Sequence, residues 1–426
     1  MIRLGFRLVL AMVVICFLTC VYACEKDDPI PQVFQVVKYN PLPVVKSNAV
    51  NTYAHYMPWY ETPATNNGNW GMHWTMNTQN PNITNTDGKR QIASHYYPLT
   101  GPYASSDKVI LEYHLLLMKY SGIDGVLIDW YGSTDYNDYG SNRTNSEALI
   151  DALEAVGLKF AIVYEDRTIA QVVQKETSLD RITAAQNDML YMEEHYFNHN
   201  AYILIDGTPL LLVFGPEEFH QPEEWGEIFS VLNENPAFLT LNYSSSKTQP
   251  FSSGEYIWVD NGSLDNKYNR KDQFDVFMGG AYPGFNDFYK EGGWGEGYFT
   301  IDHKNGETFR ETLQLAKQSE VDYLQLITWN DYGEGTMIEP TQEFGFTLLE
   351  HVQGFTGVDY TQNELQKIFD LYQLRKINPS DDDQKKLDQA FYYLVSLQHD
   401  KAIHLIDSLY QVKNVILKFN DQQDEK

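Results

Sequence analysis

The chain alternates short, nearly continuous apolar runs with longer stretches whose apolar residues recur every three or four positions. The short runs predict buried strands at Thr52–Pro58, Gly125–Trp130, Phe160–Glu165, Leu210–Phe214, Phe238–Tyr243, Tyr256–Asp260, Val276–Tyr282 and Tyr323–Trp329. The periodic stretches predict helices at Lys108–Ser121, Ser146–Val156, Asp180–His195, Pro222–Leu232 and Thr308–Gln318. Eight strands with helices between most of them predict an α/β fold, a (β/α)8 TIM barrel, whose active site lies at the C-terminal ends of its strands. From Asn363 to Leu417 the pattern changes to several amphipathic helices, read as a helical extension packed on the barrel. Leu387–Asp407 resembles a single tetratricopeptide-like hairpin, and one repeat is not an array. Pro29–Asn48 is rich in Pro and Val and predicts an extended tether. The expected layout is a leader at 1–23, a tether at 24–50, the barrel at 51–358 and the helical extension at 359–426.

The last strand runs into Thr328–Pro340, TWNDYGEGTMIEP, which carries the clearest candidate chemistry. Asp331 and Glu334 stand three residues apart, with Gly333 and Gly335 on either side of Glu334 to permit a sharp turn. Two carboxylates facing one bond are the minimum for glycoside hydrolysis, one to protonate the leaving oxygen and one to act as base or nucleophile. The same residues could equally cap the next helix. Trp329 and Tyr332 add flat faces on which a sugar ring can stack. Other strand ends and loops converge on the same rim. The first strand ends in His55, Tyr56, Met57, Pro58, Trp59 and Tyr60, and the loop behind it carries Trp70, His73 and Trp74. The second ends in Asp129, Trp130 and Tyr131, the third in Tyr164, Glu165, Asp166 and Arg167, and a later one in Tyr282 through Asp287. A packed core does not need polar groups after so many strands, so their joint presence favours a sugar-binding cleft.

Composition narrows the partners. With 31 Lys and Arg against 58 Asp and Glu, the net charge is −27, which argues against nucleic acid. An oligo- or polysaccharide substrate is compatible with such a surface. All three cysteines, Cys16, Cys20 and Cys24, fall near the N-terminus, so the body beyond them has neither a disulfide nor Cys-based zinc. No cofactor is expected. Asp135–Gly140 has Asp, Asn and Gly in calcium-loop register, but Tyr139 and Ser146 occupy ligand positions and a plain polar loop is the better reading. The basic Met1–Arg7, the apolar Leu8–Leu18 and the segment Val21–Cys24 resemble a bacterial lipoprotein leader, and Glu25–Asp28 resembles the acidic export tag of Bacteroidetes surface lipoproteins. That resemblance implies lipid attachment at Cys24 and an outer-membrane, cell-surface location, with membrane contact through the anchor only.

The segments HYMPWY, GNWGMHW, the run ending SGIDGVLIDWYG, YPGFND and TWNDYGEGTMIEP resemble glycoside hydrolase family 99 over roughly Tyr53–Leu349. The resemblance implies a (β/α)8 barrel and an endo-acting α-mannosidase or α-mannanase. It puts the acid/base at Glu334 and the group that deprotonates the sugar's 2-hydroxyl at Asp331, where the family has Glu. It also implies sugar contacts at Tyr56 and Trp130. WNDYGE is similar to family 71 of the α-1,3-glucanases as well, so the motifs are of a mixed 71/99 type. The expected site is therefore Asp331 and Glu334 as the carboxylate pair, with Tyr56, Trp59, Trp70, His73, Trp74, Trp130, Glu165, Tyr282, Asp287, Trp329 and Tyr332 around the substrate. A family 71-like α-1,3-glucanase and a surface glycan-binding lipoprotein without catalysis are the alternatives.

Overall fold

The structure, a computed structural model, describes residues 34–377 and 379–424. Eight parallel strands close on themselves. They are β1 (Asn51–Tyr56), β2 (Gly125–Trp130), β3 (Lys159–Tyr164), β4 (Thr208–Val213), β5 (Ala237–Leu241), β6 (Ser252–Tyr256), β7 (Val276–Ala281) and β8 (Tyr323–Leu326). Each pairs with its sequence neighbours, β8 pairs with β1 through Ala54↔Leu326, and β3 meets β4 through Ile162↔Leu211. This is the expected TIM barrel. The strands are buried on both faces, which is why they read as apolar runs rather than alternating ones. Close strand contact sets local identity too. A Cβ on Gly254 of β6 would lie 1.7 Å from the carbonyl oxygen of Val276, so only glycine fits there.

One strand differs from expectation. The sixth was expected at Tyr256–Asp260 and lies at Ser252–Tyr256. Its sequence, SSGEY, is polar because Glu255 is fully buried and held by the amides of Tyr243 and Ser245, the Ser245 hydroxyl and the Arg270 guanidinium. Ile257–Val259, the apolar run that suggested a strand, leaves the barrel instead; Trp258 and Val259 line the cleft above it.

Helices α1 (Lys108–Tyr120), α2 (Tyr139–Val156), α3 (Arg181–Met192), α4 (Pro222–Phe229), α5 (Glu307–Gln318) and α6 (Thr347–Thr356) follow strands or link them. Their starts obey capping chemistry. Asp107 accepts from Val109 N at 2.9 Å, and Gln221 and Glu224 form a capping box before Pro222. Helices α7 (Gln362–Lys376), α8 (Asp381–Val395) and α9 (His399–Asp424) form the extension. It docks on α1. Arg375 on α7 makes a two-pronged pair with Glu112, at 2.8 and 2.9 Å, and reaches Asp388 on α8 at 2.7 Å. The Tyr120 hydroxyl donates to Leu394 O at 3.1 Å.

Residues 34–50 are extended and carry no helix or strand, but they do not hang free as a tether. Val37 exchanges two hydrogen bonds with the Gln389 side chain, Leu42 N donates to Val395 O at 3.0 Å, and Lys46 pairs with Asp124 at the base of the barrel. A Pro-rich segment lacks its own backbone pairing, and here the extension and the barrel base supply partners. Cys24 and the leader lie outside the described residues.

Candidate active site

Strand β8 hands the chain to a loop that is fixed from several sides. Trp329 N donates to His55 O of β1 at 2.6 Å, and Glu339 N returns to Trp329 O at 2.8 Å. The Asn330 side chain brackets Met57, accepting from its N at 2.8 Å and donating to its O at 3.0 Å. Asp331 N donates to the Thr328 hydroxyl at 2.8 Å, and Glu334 N donates to Asp331 Oδ1 at 2.8 Å. That last bond is the mark of a tight turn whose first residue also anchors its fourth. Gly335 follows at φ 68, with Asn286 O only 2.7 Å from where a Cβ would stand. Asp331 and Glu334 therefore do not cap a helix. They share one rigid turn above the barrel mouth, and both line a cleft of about 770 Å³.

The two carboxyls have different surroundings. Asp331 is buried, and burial raises its pKa to about 6, with the Glu334 amide, His73 and the Gly333 amide pulling it back. Burial raises Glu334 well above the usual carboxylate range, and the neighbouring Asp331 charge pushes it further. Glu334 Oε2 is buried without a partner, while Oε1 accepts from the Tyr289 hydroxyl at 3.4 Å.

The cleft walls are aromatic. Trp59 lies flat on His73, with ring centres 4.2 Å apart and planes 6° apart, and His73 is held by Asp138 at 3.1 Å. Trp294 meets His73 edge-on at 5.6 Å and stacks parallel to Tyr289 at 6.3 Å. Trp258, Phe214 and His55 close another side. Of the expected residues, Asp331, Glu334, Trp59, His73 and Glu165 line this space together.

The others sit elsewhere, Tyr56 and Trp130 for one shared reason. Successive residues of a strand face opposite sides. On β1, His55 faces the cleft, so Tyr56 points outward and its hydroxyl bonds His114 on α1 at 3.0 Å. On β2, Asp129 faces the cleft and Trp130 is turned away, fully buried against Tyr191 and Tyr196. Trp329 and Tyr332 are likewise fully buried, beside His114 and against Tyr60. Trp74 is core, its Nε1 donating to Tyr103 O at 2.7 Å. Trp70 bonds Asn82 at 3.0 Å beneath Arg90, off the cleft. Tyr282 packs toward α5 through Thr312. Asp287 supports the wall from behind, accepting from Tyr289 N at 3.1 Å and Tyr298 N at 2.9 Å. The expectation that these eight face a substrate is corrected accordingly.

The sequence places Asp129, His55 and Arg167 at strand ends on the rim but not in the expected site, and it points to none of Trp258, Tyr289, Trp294 and Tyr298. Strand parity could have found the first two, since each is one position from the aromatic that was chosen. Arg167 is the one Lys or Arg among the lining residues, and it pairs with Glu165 at 2.6 Å. Among the described residues no group of three or more His, Cys, Asp or Glu is arranged to hold a metal ion.

A family model described as Glycosyl hydrolase family 99 matches residues 48–237, a stretch that ends before Asp331 and Glu334. A glycoprotein endo-alpha-1,2-mannosidase-like protein of Danio rerio is 23% identical over 284 residues, covering 58% of this chain and 60% of its own length. The protein of the same description from Homo sapiens is 22% identical over 323 residues, covering 67% of this chain and 68% of its own. The chain thus spans about three fifths to two thirds of the length of these curated relatives. The solved GH99 endo-alpha-mannosidase from Bacteroides thetaiotaomicron shares the fold, with a TM-score of 0.54, 19% identity and coverage of 73% of this chain and 99% of that one.

Proposed function

We propose that this chain, a glycoside hydrolase, cuts α-mannosidic bonds within a mannose-containing glycan, with Glu334 as general acid and base and Asp331 as its partner. One observation carries the proposal. A buried carboxyl, Asp331, and a half-buried one, Glu334, in different environments share one rigid turn at the floor of an aromatic cleft. Glycoside hydrolysis needs one carboxyl that keeps its proton near neutral pH and one that has lost it. Glu334, raised the further, keeps the proton that passes to the glycosidic oxygen as that oxygen leaves. Asp331, held nearer the ordinary range by the Glu334 amide, ionises first and acts as base, on the sugar's 2-hydroxyl if it follows family 99. The flat faces of Trp59 and Trp294 suit sugar rings. The names of the relatives, endo-acting mannosidases, support mannose and internal cleavage.

The test is product analysis after incubation with α-mannan and with α-1,3-glucan. Release of mannose oligosaccharides from the first is the expected result. Release from the glucan alone would replace the mannose assignment, and binding without release would leave a glycan-binding protein.

We propose also that Cys24 is lipidated and holds the protein at the outer membrane surface, on the leader sequence alone. Cys24→Ala then moves the protein from the membrane fraction to the soluble one; continued membrane fractionation contradicts the anchor.

A further inference from the structure

Behind the Asp331–Glu334 turn, the cleft holds a second pair of carboxyls. Asp129 is the last residue but one of β2, Glu165 follows β3 beside it, and they are 1% and 3% exposed. Glu165 has a cation, since Arg167 Nε stands 2.6 Å from Oε2 and Nη2 donates to Oε1 at 3.2 Å. Asp129 has none of its own. Its carboxyl lies within hydrogen-bonding reach of Glu165, and its Oδ2 is buried with no donor in the protein. Two carboxylate oxygens cannot bond each other without a proton between them. The groups facing Asp129 say where that proton rests. They are Glu165 and Arg167 from the turn after β3, Asp331 from the β8 turn, Tyr131 beyond β2, Tyr256 of β6 and, across the cleft floor, His55 of β1. Arg167 is the one Lys or Arg among them and is spent on Glu165, which favours the ionised form of Glu165 and leaves the proton on Asp129.

His55 presents the matching feature. It is fully buried, and its Nδ1 lies 3.1 Å from Gln325 Oε1. The Gln325 amide is oriented by its own Nε2, which donates to Ile257 O at 2.8 Å. Nδ1 therefore carries the ring hydrogen, and Nε2 is a bare acceptor, buried and without a partner. The cleft floor thus offers two neutral acceptors with no donor in the protein to satisfy them. Left so, each costs desolvation energy.

We propose that Asp129 and His55 form a hydroxyl-reading subsite, in which protonated Asp129 donates to Glu165 and accepts one hydroxyl of a neutral sugar while His55 Nε2 accepts another. Glu165 and Arg167 are positioning residues that keep Asp129 neutral. Anionic substituents such as sulfate or carboxylate lack the donors this subsite requires and are excluded. The subsite rests on the reading of the cleft as a glycan site and deepens it.

The test uses the Glu334→Gln variant as parent, so that sugars bind without being cut. Binding of an α-mannooligosaccharide and of an α-glucooligosaccharide is followed by calorimetry from about pH 5.5 to 9, across the range in which buried carboxyl pairs lose a proton. Asparagine reproduces neutral Asp129, since its amide donates to Glu165 and its carbonyl still accepts. Adding Asp129→Asn should keep the parent's affinity near neutral pH and abolish the loss of affinity that the parent shows at alkaline pH. Adding Asp129→Ala or His55→Phe should weaken binding about tenfold at neutral pH, the loss of one good hydrogen bond, in protein that melts cooperatively. An Asn variant that weakens at the same alkaline pH as the parent overturns the subsite. So does an Ala variant that binds as the parent does. If the parent binds the glucan and not the mannan, the mannose reading fails while the subsite is still judged by the same variants. If it binds neither, both fall.

Discussion

Asp331 is buried beside a second carboxyl, and the fold tolerates this at a cost that depends on pH. Its pKa rises from the ordinary 3.8 to about 6. Between those values the unfolded chain has released the proton and the folded chain keeps it. Stability from this group is therefore full below the unfolded value and is lost as pH rises through the folded one. Asp331→Asn removes the penalty. The variant should melt higher than the parent at about pH 7.5 and lose that advantage toward about pH 4, even as activity falls. Melts across that range check it, and a gain that grows as pH falls would contradict the assignment. The Asp331–Glu334 pair was legible in the sequence because both members sit on one short turn, where spacing alone brings them together. The sugar contacts that the family 99 resemblance implies at Tyr56 and Trp130 fail on strand parity, which turns both side chains away from the cleft. Large rings at those positions fill the space between barrel and helices, while their smaller polar neighbours His55 and Asp129 face the cleft.

At the level of elements, apolar runs identified seven of the eight strands near their observed places, since a parallel barrel buries both strand faces. The sixth escaped because Glu255 is satisfied by partners distant from it in sequence, most of all Arg270. The glycine-rich segment Gly292–Tyr298 gave no pattern at all. It nonetheless carries Trp294, 38% exposed, and Tyr298, 75% exposed, to the rim of the cleft, with Asp287 pinning the backbone beneath. Such exposed rings beside a cleft predict a platform for sugar units away from the cut bond. Trp294→Ala should raise KM on a long α-mannan roughly two- to tenfold, the worth of one aromatic face, and leave KM on a short activated glycoside unchanged. Steady-state kinetics on the two substrates check it; equal effects on both would place Trp294 at the cut bond itself.

The whole molecule is a barrel braced from below and on one side. The extension covers α1, and residues 34–50 run across α8 to the barrel base. Arg375 joins α1, α7 and α8 and is 7% exposed. Arg375→Ala leaves the half-buried Glu112 without its cation and should destabilise the protein, by less than the roughly 3–5 kcal/mol that breaking a fully buried pair costs, with activity per folded molecule unchanged. Denaturant unfolding together with active-site titration measures both, and a loss of activity without a loss of stability would contradict a bracing role. None of this bears on the proposed chemistry, in which Glu334 is the proton donor. The most direct measurement compares Glu334→Gln with the parent on two substrates, a natural α-mannan and a mannoside whose leaving group needs no proton. General acid assistance is worth about 10²–10⁴-fold. The variant should lose at least that on the mannan and far less of the step that expels the activated group. Equal losses on both substrates, or none on the mannan, would show that Glu334 is not the proton donor.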